Sequence, residues 1–177
     1  MERIVNVIDQ QEAEKVLGQF AEKKKKGPYE IQHAEEVNIP YYILRIEMRI
    51  KRAFGLKPKI IEHTYWVNTI DGEMIRTKEN PEKEPVQSGT VMNQKLSRKK
   101  CYKIAEDQAF KHVTRFYKSF WTPELVLEEK DCLCIGYWMF TVKFENKDQD
   151  QIILINSFSG DVVGHLKKSQ EIYQKVV

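Results

Sequence analysis

The sequence has little of what would tie a chain to a membrane, to secretion or to phosphate chemistry. No window of its 177 residues approaches the ~18 consecutive apolar residues of a membrane span. The opening "MERIVNVIDQQEAEK" has no basic n-region, apolar h-region or small-residue cleavage site, so it does not read as a signal peptide. There are only 3 cysteines, an odd number that makes no disulfide framework. Reduced thiols in a cytoplasmic protein are the expectation. Cys132 and Cys134 flank Leu133 and would share one strand face as small buried residues, in a geometry that rarely admits a bridge. There is no Gly-rich phosphate loop, no G-x-S-x-G elbow and no HExxH. His33, His63, His112 and His165 form no HxxxH or HxH pair, and the spacing supports no zinc site. No catalytic residue, cofactor or metal is expected. The cation excess is small as well: net charge +3 is below that of a dedicated nucleic-acid binder.

What is present is enough apolar material for a core, 41% of residues, in a strongly patterned chain. Asp9 is a good N-cap, and Glu12 three residues on completes a capping box. Ala13, Val16, Leu17, Phe20 and Ala21 then recur at helical spacing. Lys23 to Lys26 crowd the helix end, where cations suit the dipole, and Gly27–Pro28 stop it. "YEIQHAEEV" reads as a short strand and "YYILRIEMRI" as a second, with Tyr42, Leu44, Ile46, Met48 and Ile50 alternating with charges. "KIIEHTYWVNTI" is the next strand, Asp71–Gly72 a turn, and "EMIRTK" the last.

After the polar, proline-bearing "ENPEKEPVQSGT" the order recurs. Ser97 caps a helix predicted to reach about Phe120, with Tyr102, Ala105, Ala109, Val113, Phe116 and Phe120 as its stripe. "ELVLEEKDCLCIG", "YWMFTVKFE", "QIILINSF" and "DVVGHL" read as strands, with a turn at Ser159–Gly160 and a short tail helix at "KSQEIYQKVV". Laid over each other, the halves place Tyr42, Leu44, Ile46 and Met48 on Trp138, Phe140, Val142 and Phe144. Asn68 falls on Asn156 and Gly72 on Gly160. The expectation is therefore an α+β protein of two tandem repeats. Each is a helix packed on an antiparallel three- to four-stranded sheet, with repeats at 1–80 and 94–177 and a linker at 81–93.

The second half resembles a PepSY-type domain, of the broader cystatin-like helix-on-sheet kind. The resemblance rests on the spaced Ala105 and Ala109, the strand "YWMFTVKF", and "ILINSFSGDVVG" with its small-residue-Gly-acidic turn. The first half carries the same order in Ala13, "YYILRIEM" and "VNTIDGEM". The resemblance implies a sheet wrapping a helix and an inhibitory, regulatory or binding role.

The acidic doublets Glu35–Glu36 and Glu128–Glu129 read as solvated charges that discourage edge-to-edge pairing. On the strands, the face opposite the expected core is itself partly apolar. Tyr41, Ile43 and Trp66 in the first half correspond to Tyr137, Met139 and Leu154 in the second. A solvated sheet face should be polar, so these six form the candidate interaction surface, for repeat packing, a second copy or another protein. The predicted function is non-catalytic binding, inhibition or regulation through the sheet surface or the hairpin loops, with a protein partner. Two alternatives stand beside it. One is nucleic-acid binding through the basic helix termini "EKKKKG" and "SRKKCYK". The other is a small ligand or substrate held between helix and sheet.

Overall fold

In a computed structural model, the structure describes residues 1–52, 56–77, 81–117 and 122–163. The chain order is β1 (Glu2–Ile4), α1 (Gln10–Lys23), β2 (Tyr29–Ile50), β3 (Lys59–Asn68), β4 (Met74–Thr77), β5 (Lys83–Pro85), β6 (Thr90–Val91), α2 (Arg98–Tyr117), β7 (Glu124–Phe144), β8 (Gln151–Asn156) and β9 (Val162–Val163). It is a mixed α/β protein whose strands form a large, mostly antiparallel sheet. Their order is β4-β3-β2-β7-β1-β5, with β6 on β2, β8 on β7 and β9 on β8. The predicted tail helix, the far end of the predicted second helix at Phe120, and His165 lie outside the described residues.

The first helix forms as its cap dictates. Asp9 Oδ1 accepts from the Glu12 amide at 2.9 Å, and Glu12 Oε2 accepts from the Asp9 amide at 3.2 Å. The second begins where Ser97 Oγ accepts from the Lys100 amide at 3.4 Å.

Two expected strand breaks are absent. The first two predicted strands are one strand, β2, running through Pro40. Proline has no N–H to give a ladder, but here the partner changes at that point. β2 pairs with β6 at Val37 and Asn38, then with β3 from Tyr41 onward. In the same way β7 runs through Gly136. That glycine marks a close approach rather than a strand end: a Cβ on it would stand 2.5 Å from Asn6 Oδ1 and 2.6 Å from Ser157 Oγ.

The chain forms two compact units, each assembled from separated segments. The first holds Met1–Pro40, Pro81–Asn93 and the described part of Cys134–Val177. Its core sets Ala13, Leu17 and Ala21 of α1 against Phe140, Val142 and Phe144 of β7 and Ile153 and Ile155 of β8. The polar stretch after Pro81 belongs to this unit, where β5 pairs with β1 and β6 with β2. A buried polar network supports it. Glu36 accepts from the Arg3 guanidinium, from Asn6 Nδ2 at 2.7 Å and from Ser88 Oγ at 2.5 Å, while Arg3 Nε also reaches Glu84 at 2.8 Å. So Glu36 is not the solvated charge expected of it.

The second unit holds the described parts of Tyr41–Asn80 and Gln94–Leu133. Its core sets Cys101, Ala105, Ala109 and Val113 of α2 against Leu44, Ile46, Met48 and Ile50 of β2 and Tyr65 and Val67 of β3. In both helices alanines on the buried face bring the backbone close to the sheet, and each larger buried side chain adds roughly 1.5–3 kcal/mol. Phe116, expected on the buried stripe, is 64% exposed.

Candidate functional site

The six residues of the expected interaction surface are all buried, none more than 9% exposed. In the second unit Ile43 faces Trp66 across the β2–β3 ladder and Tyr41 faces Asn68. In the first, Met139 faces Leu154 and Tyr137 faces Asn156 across β7–β8. The structure brings these residues together in two cross-strand sets. Buried within the chain, they leave no free patch for a foreign partner.

The exposed chemistry lies elsewhere, at the start of α2 in the second unit. An open groove of about 820 Å³ is lined by Ser97, Arg98, Lys99, Lys100, Tyr102, Lys103, Glu106 and Asp107. These residues share a surface because they occupy the cap and first three turns of one helix whose other face is buried by Cys101, Ala105 and Ala109. The first turn carries no acidic residue, so the cations at the positive end of the helix dipole are not offset within the helix.

One of them is offset from outside. Arg98 Nε donates to Glu129 Oε2 at 2.7 Å and to the Tyr102 hydroxyl at 3.0 Å, and the Tyr102 hydroxyl donates to the same carboxylate. The hydrogen bond to Tyr102 and the adjacent Glu129 carboxylate push the Arg98 guanidinium pKa further up. Burial, reinforced by Glu129, raises that of the Tyr102 hydroxyl, which stays a donor. Glu129 is thus a positioning acid at the rim. Lys99, Lys100 and Lys103 remain exposed, and Glu106 and Asp107 form the opposite charge further along. The groove presents both signs over a few ångströms of apolar side-chain stem.

Below it, Tyr42 donates to Gln94 Oε1 at 3.1 Å, and Gln94 Nε2 approaches Cys132 Sγ at 3.6 Å. Burial pushes both the Cys101 and Cys132 thiols up, so neither is an activated nucleophile.

Sequence spacing gives no sign of one further cluster in the same unit. His63 of β3 and His112 of α2 meet edge to face with ring centres 4.9 Å apart, and Arg76 lies 3.4 Å from His112 Nδ1. They come from positions 49 residues apart, beyond any local motif. Among the described residues no three His, Cys, Asp or Glu side chains converge as metal ligands. Among them, too, no helix is long and apolar enough to cross a membrane.

No known family model matches the chain, and no curated protein or solved structure matches it.

Proposed function

We propose that this protein is a non-catalytic binding protein, inhibitory or regulatory in effect, that takes a protein partner in the groove at the start of α2. The observation that carries the reading is the mixed charge of that groove. Four cations, Arg98, Lys99, Lys100 and Lys103, share it with two carboxylates, Glu106 and Asp107. A polyphosphate chain would meet repulsion at the acidic end, whereas a protein surface can present complementary charges of both signs. For the same reason nucleic acid is the second reading rather than the first.

The test is cross-linking of the full chain to whatever it captures, with the attachment points mapped. Cross-links are expected at Lys99, Lys100 and Lys103, and capture is expected to fall in a Lys99→Glu/Lys103→Glu variant of unchanged circular dichroism. Attachment elsewhere with undiminished capture would overturn the site. Salt-sensitive binding of an oligonucleotide, lost on neutralising Arg98, Lys99 and Lys100, would transfer the site to the second reading.

We infer too that the chain is a duplicated PepSY-like αβββ unit whose copies have exchanged parts. Two observations support this: α1 packs on β7 and β8, and α2 on β2 and β3. Each helix therefore covers strands from the other half of the sequence. A cytoplasmic setting is part of the proposal, supported by three free cysteines, of which Cys101 and Cys134 are buried.

A further inference from the structure

The end of α1, in the first unit, carries more cation than a helix end needs. Lys23 sits in the last turn, where the dipole accounts for it. Lys26 lies past the cap. The backbone turns there through Lys25 at φ 51°. The Lys26 ammonium comes to lie 5.2 Å from the centre of the Phe20 ring and 4.9 Å from that of Phe144, and donates to Gln151 Oε1 at 2.7 Å. Burial, then the like charges of Lys147 and Lys24, lower its pKa. No carboxylate pairs with Lys26 among the described residues.

Beside it is an open cavity of about 560 Å³ lined by Val16, Gln19, Phe20, Lys23, Lys24, Lys26 and Val162. Its lining combines the apolar Val16, Phe20 and Val162 with Gln19 and three lysines, the Lys26 ammonium lying over the Phe20 ring. That volume lies within the ~300–1,000 Å³ typical of small-molecule sites. A half-buried ammonium crowded by like charges is an unfavourable arrangement that an anion relieves, and the apolar part of the lining selects an anion with a hydrocarbon body.

We propose that this cavity binds a small organic anion with an apolar body, of the alkyl carboxylate class, its carboxylate against Lys26 and Lys24 and its chain along Phe20, Val16 and Val162. The site is separate from the α2 groove and does not depend on it.

The test is calorimetric titration of the full chain with decanoate, acetate and inorganic phosphate. Decanoate is expected to saturate at one per chain. Acetate and phosphate are expected to bind at least about tenfold more weakly, a difference of roughly 1.4 kcal/mol. Lys26→Met and the exposed-site variant Lys24→Met should each weaken decanoate, and Lys26→Arg should restore most of the loss. Lys99→Met/Lys100→Met, at the other groove, should change nothing. Because Lys24 is exposed, its variant reports on binding even if Lys26→Met impairs folding. Phosphate as tight as decanoate, or decanoate affinity unmoved by both lysine variants, would overturn the proposal. So would capture by phosphatidylglycerol vesicles without binding of free decanoate, which would place the chemistry at a bilayer surface instead.

Discussion

Asn68 and Asn156 hold their two hairpins with the same hydrogen bonds. Each Oδ1 accepts from the amide two residues on, Ile70 or Phe158, at 2.8 Å. Each carbonyl accepts from the turn glycine, Gly72 at 2.9 Å and Gly160 at 2.8 Å. Each Nδ2 reaches a tyrosine hydroxyl across the ladder, Tyr41 at 3.2 Å and Tyr137 at 3.4 Å. An Asx turn followed by a glycine at positive φ is one backbone solution, used at both places.

The two glycines differ in what surrounds them, and this gives a first prediction. Gly72 and Gly160 have φ of 78° and 74°, where an L side chain is strained by about 1 kcal/mol. A Cβ on Gly160 would meet nothing within 4 Å. On Gly72 it would also meet Ile104 Cδ1 at 2.8 Å and Leu96 Cδ1 at 3.2 Å, side-chain tips that can shift. Urea unfolding should show both Gly→Ala variants destabilised, with Gly72→Ala the worse by less than about 1 kcal/mol. The reverse order would contradict the packing of Ile104 and Leu96 around Gly72.

Gly136→Ala should cost more than either, about 2–3 kcal/mol. Its new methyl would displace Asn6 and Ser157, whose hydroxyl, with its one proton, lies 2.6 Å from both Asn6 Oδ1 and the Gly136 carbonyl and donates to one or the other. A variant as stable as the parent would mean that the close approach is not maintained.

Glu36 should shape the acid limb of stability. Burial alone would raise its pKa. The hydrogen bonds from Ser88 and Asn6 and the Arg3 guanidinium outweigh that and hold it below the ordinary value of 4.5. A carboxyl depressed in the folded state contributes stability that is present above the unfolded pKa and lost as pH falls through the folded one. Glu36→Gln should lower stability at pH 7, by about 1–3 kcal/mol since buried Arg3 loses one of its two carboxylate partners and keeps Glu84, and should flatten the loss below pH 4.5. Parallel acid limbs in parent and variant would refute this.

His112 sets an opposite requirement near neutrality. Burial, then the Arg76 charge, pull its pKa below the ordinary 6.5, with His63, Phe116 and Tyr117 packed around the ring. The neutral ring is favoured in the fold, so its contribution is complete above pH 6.5 and declines as pH falls toward the folded value. His112→Gln should remove that part of the pH dependence. A histidine ring titration by NMR at or above 6.5 would contradict the packing.

Leu17→Ala tests which strands each helix stabilises. Leu17 is fully buried against β7 and β8, and its truncation should cost about 2–5 kcal/mol. Hydrogen exchange should quicken first at Ile153 and Ile155 of β8, ahead of Tyr65 and Val67 of β3. Loss of protection in β3 first would contradict the core assignment.

Much of the local structure was legible in the sequence. The Asp9–Glu12 capping box, the Ala105–Ala109–Val113 stripe and the two glycine turns are specified by residues a few positions apart, where backbone geometry leaves few alternatives. Two local readings failed for a non-local reason. Pro40 and Gly136 look like strand ends, yet the first sits where β2 changes partner and the second where Asn6 and Ser157 press against β7. The apolar face of Tyr41, Ile43, Trp66, Tyr137, Met139 and Leu154 was legible as apolar, but its burial within one chain was not. Local periodicity also could not assign α1 to β8, pair Arg3 with Glu84, or set His63 against His112. Such contacts join residues far apart in the chain, Arg3 and Glu84 by 81 positions and Asn6 and Ser157 by 151. By itself the sequence determined the helices, turns and strand faces, because bonded neighbours control them. Only the tertiary structure decided which helix covers which strands, because that is settled by which long-range contacts bury the most apolar surface while leaving the buried charges paired.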